Sequence, residues 1–405
     1  MKLQVNFNLV MWENRGEIMK LFHLSDLHIG KQLHSYSLRK NQEDILNKIV
    51  EQAILQRPNA ILIAGDIFDK SIPSAEAYTV FDDFLNKLAN IVPTIPVLII
   101  AGNHDSAERL RYASSFLEKH QIYISVMPPQ EEGEYLRKIT LQDEYGDVNF
   151  YLLPFVKPGY VRHLFEEGYV TSYHSAIQAL LEREEIDYSQ RNCLLSHQFY
   201  VNGGQAPETS DSEQSSITVG GLDSVDASLV EQFDYVALGH IHKPQHVLKP
   251  TIRYCGTPLK YSVSEEKHKK SITVVTLSEK GSEIGIESIP LYALQDVRRE
   301  RGLLQEILDR ATQDNCHDYI SVTITDEVDP YKPKDQLEEK YDNILELMVD
   351  NTRTQARINE VNGEATVLDP ILAFSEFYQE MQQCPMSEKE EEIIASIINI
   401  SREED

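Results

Sequence analysis

Short apolar runs alternate with stretches of helical periodicity from about residue 20 to residue 245. The runs at 21–24, 60–64, 97–101, 149–155, 192–195 and 235–238 are compact and bounded by turn or polar residues, which predicts strands. Between them, Ile45, Ile49 and Ile54 follow Arg39, and Tyr78, Phe81, Leu85 and Leu88 follow Pro73 and Ser74. Their spacing of three to five residues predicts helices with one buried face. Alternation of this kind predicts an α/β fold. After about residue 290 the texture changes. A basic knot at Arg298, Arg299 and Arg301 precedes a predicted helix near 303–310, a strand at 319–324 and a helix at 337–349, the parts of a smaller α+β unit. Residues 369–381 carry a proline in the first helical turn and place Ile371, Phe374, Phe377, Tyr378 and Met381 on one side. A polar Gly/Ser/Asp loop at 202–221 is too long for a simple connection and is expected to be functional or mobile.

Length and composition narrow the class. A chain of 405 residues is expected to fold as two or three domains. Its 41% hydrophobic and 25% charged content argues against disorder or a fibrous repeat. Apolar runs such as 61–64 and 97–101 fall far short of the ~18 residues of a membrane helix. Residues 1–18 contain Glu13 and Glu17 and lack the layout of a secretory signal, so a cytoplasmic protein is expected. Cys193, Cys255, Cys316 and Cys384 form no CxxC pair, which fits a reducing compartment and packing roles. The net charge of −27 is the opposite of the footprint expected of a protein that grips nucleic acid unaided. The distribution is uneven, however. Residues 243–270 hold seven Lys and Arg against Glu265 and Glu266, whereas 206–234 hold seven acids and no base. The candidate contacts to a nucleic-acid backbone are Lys243, Arg253, Lys260 and Lys267; for any one of them a solvated surface role is equally expected.

The chemistry lies where the strands stop. Asp26 and His28 follow the first run, Asp66 the second, and Asn103, His104 and Asp105 the third; His197 follows the 192–195 run, and His240 and His242 the last. Ligands in α/β sheets bind beyond the carboxyl ends of strands, so these side chains are expected to converge on one crevice. Carboxylate, amide and imidazole donors without thiolate suit Mn²⁺ or Fe²⁺ at a hydrolytic site. Asp26, His28, Asp66, Asn103, His197, His240 and His242 are seven donors, too many for one catalytic ion with an open position, and point to two. Singly, each is weak: an Asp after Gly is often a turn residue, and a lone His at a strand end is more often structural. A His pair two apart is more specific, because both rings leave one side of an extended segment. Asp105 is expected to orient a neighbouring His. Asp69 and His34 carry no comparable support, and His120, His163, His174, His268 and His317 read as surface or packing residues.

The strings SDLHIG, AGDIFD, AGNHDSAERL, LLSHQF and ALGHIHKPQ resemble the calcineurin-like metallophosphoesterases. The longer GDIFDKSIPSAEA, DYVALGHIHKPQ and YCGTPLKYSVSE narrow the resemblance to the SbcD family of bacterial nuclease subunits, over roughly residues 19–380. That resemblance implies two packed β-sheets flanked by helices with a small α+β cap domain facing DNA, and two Mn²⁺ ions. Asp26, His28, Asp66 and His242 would hold one ion, and Asp66, Asn103, His197 and His240 the other. His104 would stabilise the transition state or protonate the leaving oxygen. At Asp69 archaeal and eukaryotic relatives often carry His. The implied activity is DNA exonuclease and endonuclease cleavage in recombination, replication and repair. The implied partners are DNA, the SbcC coiled-coil ATPase docked on residues 371–381, and a second copy of the chain within a heterotetramer, associated with the nucleoid. The implied domains are a nuclease domain at 19–290, a cap at 291–366 and a partner-binding helix with acidic tail at 367–405. Residues 1–18 precede the resemblance and are expected to be a dispensable extension outside the native chain. A small-substrate phosphomonoesterase or cyclic-nucleotide phosphodiesterase on the same core is the alternative; it would have no use for the added residues 291–405.

Overall fold

The computed structural model describes residues 18–214 and 223–355 and, beyond these, scattered positions between 374 and 394. Strands such as Ala60–Ala64 and Val97–Ile100 carry no polar residue at either parity, so each has to be covered on both faces. A sandwich of two six-stranded sheets does this. In the first sheet Met19–Leu24, Ala60–Ala64, Val97–Ile100 and Ile122–Ser125 run parallel, and Ser271–Leu277 and Gly285–Pro290 add antiparallel to Met19–Leu24 and to each other. In the second, Gly146–Leu153, Arg191–Ser196, Tyr235–Leu238 and Lys249–Tyr254 run parallel, with Arg137–Asp143 and Gln245–Val247 antiparallel at the edges.

Side-chain alternation sorts each strand into two layers. Leu21, Leu62 and Leu98 meet Phe150, Leu195 and Tyr235 between the sheets. Phe22, Ile61 and Ile99 point the other way, onto Ile49 and Phe84 of the helices Arg39–Gln56 and Ala75–Ala89. On the far side, Leu194 and Val236 pack with Ile177 and Leu180 of the helix Tyr173–Arg183. The Ser74 hydroxyl accepts the Ala77 N–H at 3.2 Å and starts the second helix where the sequence placed it.

Two local expectations are corrected. Ile54 is 53% exposed; the buried face of Arg39–Gln56 is Ile45, Leu46, Ile49, Val50 and Ala53, because spacings of three and four stay on one face and a step of five does not. Residues 337–349 are not one helix. A short helix, Pro333–Glu338, is followed by the strand Asn343–Val349. Leu337, Tyr341 and Leu345 repeat every four residues, yet the later part pairs with Tyr319–Ile324 in a three-stranded sheet that also contains Val297–Gly302. Sheet pairing overrides the local period.

The chain forms two compact units, one of residues 1–299, 311–321 and 338–346, the other of 300–310, 322–337 and 347–405. In the second, Asp326 accepts the Leu304 N–H at 2.7 Å at the start of the helix Leu304–Asp309, and Arg301 pairs with Asp350 at 2.5 Å.

One buried ion pair ties the sheets together. The Asp143 carboxylate takes two nitrogens of Arg191 at 2.5 and 2.8 Å and the Met19 N–H at 3.0 Å. Replacing Asp143 by Ala strands the guanidinium in the interior, and the expected loss of stability is about 3–5 kcal/mol. Urea unfolding of the variant measures it; a loss below about 1 kcal/mol would place the pair with exposed ones.

Candidate metal centre

Strands from both sheets end at one place, and the backbone there is bent to bring their loops into contact. Asp26, His28, Asp66 and His240 have φ of 52°, 41°, 49° and 97°, the left-handed region that side chains adopt at a cost of about 1–3 kcal/mol each. The Asp26 N–H donates to the Gly65 carbonyl at 2.9 Å and the His28 N–H to the Asp66 carbonyl at 3.0 Å, zipping the first two loops together. Two glycines permit the approach of the others. A Cβ on Gly102 would lie 2.2 Å from the Asp66 carboxylate, and one on Gly239 would lie 1.9 Å from the Ala64 carbonyl oxygen.

All seven expected donors meet there. His28 Nε2 lies 3.2 Å from His242 Nε2 and 3.7 Å from Asp66 Oδ2. The same Asp66 oxygen is 3.3 Å from His197 Nε2. Asn103 Oδ1 is 3.1 Å from His197 Nε2 and 2.9 Å from His240 Nδ1. The His240 N–H points at both Asp26 oxygens, at 3.0 and 3.1 Å. Ligand atoms of Asp26, His28 and His242 form one compact group and those of Asp26, Asp66 and His197 another. Asp26 thus belongs to both, while Asp66 Oδ2 stands between His28 and His197. His240 and His242, two residues apart, face different donors.

The surroundings fix which nitrogen each ring presents. His197 Nδ1 donates to the Ala64 carbonyl at 2.7 Å and His104 Nδ1 to the Asp69 carbonyl at 2.8 Å, so both rings turn Nε2 toward Asp66. Burial holds His28 well below the ordinary imidazole range and His240 at about 3, which keeps both neutral and able to ligate. Burial alone would lower His197 too, but the adjacent Asp66 carboxylate overrides it and raises the ring to about 9. Asp66 is in turn held well below the usual carboxylate range against its own burial, chiefly by His197. His28 Nδ1 is buried with no hydrogen-bond partner. Hard oxygen and imidazole donors, an orphaned ring nitrogen and facing Nε2 atoms together fit divalent cations.

Other expected residues fall differently. Asp105 does not orient an imidazole; its carboxylate accepts the N–H groups of Ile67, Phe68 and Gly102 at 2.9 to 3.1 Å and staples two ligand loops. Burial, with Asp66 close by, pushes it to about 6. Asp69 is nearer the chemistry than its context suggested, 3.7 Å from His28 Nδ1 and paired with Lys31 at 2.9 Å. In the basic stretch, Lys243 pairs with Glu208, Lys260 with Asp296 at 2.8 Å, and buried Lys270 with Glu265 at 2.6 Å; Arg253 is half-buried and Lys267 exposed. Phe374 is 37% exposed and the Tyr378 hydroxyl donates to Glu390 at 2.9 Å; Ile371, Phe377 and Met381 lie outside the described residues. Sequence reasoning missed Ser212, Glu213 and Glu265 behind His242, to which no local motif points.

A family model described as calcineurin-like phosphoesterase matches residues 19–244, and one described as type 5 capsule protein repressor C-terminal domain matches 293–382. A relative from Staphylococcus epidermidis, named as the SbcD component of nuclease SbcCD, is 31% identical over 384 residues, covering 94% of this chain and 98% of that protein. The chain belongs to the SbcD family of calcineurin-like metallophosphoesterases. The resemblance read from the motifs is borne out, as are the two-sheet α/β fold and a phosphoester hydrolase. A dimetal phosphatase from Danio rerio is 12% identical, covering 67% of this chain and 96% of that one, with a TM-score of 0.40. Enzymes of this family use divalent metal ions. Among the described residues of this SbcD-family chain, no helix is long and apolar enough to cross a membrane.

Because Asp66 Oδ2 lies between imidazoles of both donor groups, Asp66→Ala is expected to remove at least one metal ion and abolish hydrolysis. Elemental analysis of the purified variant is the check, and full metal content would contradict the assignment.

Proposed function

We propose that this SbcD-family chain is the nuclease subunit of a complex with the SbcC ATPase and hydrolyses DNA phosphodiesters at the centre described above. The observation that carries the reading is the meeting of seven oxygen and nitrogen donors at the carboxyl ends of strands from both sheets. Two Mn²⁺ ions are the proposed cofactors. Asp26, His28, Asp66 and His242 hold one, and Asp66, Asn103, His197 and His240 the other. When bound, such ions polarise the phosphate and lower the pKa of water toward neutrality.

The chain's own contribution to the chemistry is His104. Its ring is partly exposed, with 26% of the side chain open, and its Nδ1 proton is committed to the Asp69 carbonyl. Nε2 lies 4.0 Å from Asp66 Oδ2, at the edge of the donor cluster, where it meets the charge that develops on phosphate oxygens or protonates the leaving oxygen. Asp105 preserves this arrangement by holding both loops. An acidic chain takes much of its backbone contact with DNA from its partner, since three lysines of the 243–270 stretch are paired within the chain. Residues 371–381 dock on the SbcC coiled coil, and two copies of the chain work within a heterotetramer in the cytoplasm, at the nucleoid.

The test is a Mn²⁺-dependent assay of hairpin and blunt duplex DNA beside a small phosphomonoester. Cleavage of DNA that chelator abolishes is expected; preference for the monoester would overturn the reading in favour of a small-substrate enzyme. His104→Ala is expected to keep its metal content and lose about 10²–10⁴-fold in kcat. Loss of metal from that variant would make His104 a ligand instead.

A further inference from the structure

Behind His242 the metal centre is walled by charge. Glu265 is fully buried; its Oε2 takes Lys270 Nζ at 2.6 Å, and its Oε1 accepts the Ser212 hydroxyl at 2.7 Å and lies 3.3 Å from His242 Nδ1. Lys270 also reaches the His242 carbonyl at 3.1 Å and Thr257 Oγ1 at 2.5 Å. From the opposite side come two residues of the polar 202–221 segment. Ser212 Oγ stands 2.8 Å from His242 Nδ1, and Glu213 Oε1 accepts the His242 N–H at 2.5 Å. His242 is therefore gripped at ring, amide and carbonyl.

The direction of these bonds matters. With the Ser212 hydroxyl donating to Glu265, His242 Nδ1–H donates to Ser212 Oγ, and Nε2 is left as the lone pair facing His28. Ligating histidines are commonly set in this way, by a partner on the other nitrogen that selects the tautomer and the ring angle. A buried ion pair such as Glu265 with Lys270 is weak evidence of a stabilising role, because desolvation offsets its attraction. Its placement against a ligand's far nitrogen gives it another use.

We propose that Glu265 and Ser212 are positioning residues for His242, so that docking of the segment around 208–214 and metal occupancy at His242 are coupled. The proposal rests on the reading of His242 as a metal ligand. Coupling runs both ways: metal binding protects the segment, and loss of the segment's contacts weakens the metal.

The experiment uses the full chain and Co²⁺, whose visible absorption reports ligand geometry. Ser212→Ala and Glu265→Gln are each expected to weaken one class of Co²⁺ sites about 10–100-fold and shift its spectrum, leaving the other class as in the parent. Hydrogen exchange of amides 208–214 should slow on adding Co²⁺ to the parent chain and not to His242→Ala. Parental affinity and spectrum in both Ser212→Ala and Glu265→Gln, while His242→Ala loses a site, would overturn the proposal and leave the ligand assignment standing. Full occupancy in His242→Ala would instead overturn the ligand assignment beneath it. If Glu265→Gln fails to fold, Ser212→Ala, which removes one half-buried hydroxyl, decides by the same criteria.

Discussion

Everything at the centre depends on holding two carboxylates, four imidazoles and an amide oxygen within a few ångströms of one another in a buried space. Such a set cannot be packed by ordinary loops. The backbone gives way in two forms: side-chain-bearing residues in the left-handed region at Asp26, His28, Asp66 and His240, and missing Cβ atoms at Gly102 and Gly239. The strain is tolerable because the loops are tied to one another, by the amides of Asp26 and His28 on the second loop and by the Asp105 carboxylate across the second and third. Rigid strands on both sides complete the frame.

Protons and cations compete for this space. His28 and His240 are kept neutral by burial, which leaves lone pairs to offer. His197 is different, since the Asp66 carboxylate raises it to about 9. A divalent ion between these two groups replaces that proton, and binding there is accordingly linked to proton release. The acidic character of the chain and the affinity of its centre for cations have the same source, a local excess of carboxylates. The basic stretch at 243–270 tempers this from within: Lys270 neutralises Glu265, Lys243 meets Glu208 and Lys260 meets Asp296.

Polar groups at a distance from the donors organise the site as much as the donors do. Asp105 acts on backbone amides, Asp69 on His104 through its carbonyl, and Glu265 and Ser212 on His242. Each fixes an orientation, and hydrolysis of a phosphodiester depends on orientation as much as on charge.

The donors themselves were legible in the sequence because each sits directly after a compact apolar run, and a strand buried on both faces announces itself in a few residues. Asp26, Asp66, Asn103, His197 and His240 could thus be named, and the motif strings pointed to the family. Helix starts with a local signal, such as Ser74, were legible for the same reason. What required the tertiary structure is whatever depends on long-range pairing. Residues 343–349 became a strand because a neighbouring strand was available, against their own period. Asp105 stapled loops rather than orienting a ring, because its partners are amides more than thirty residues away as well as one close by. Glu265 and Ser212 are separated by 53 residues and meet only behind His242. Strand ends carry their chemistry in the local pattern; the groups that aim that chemistry are brought together by packing, and packing leaves no local trace.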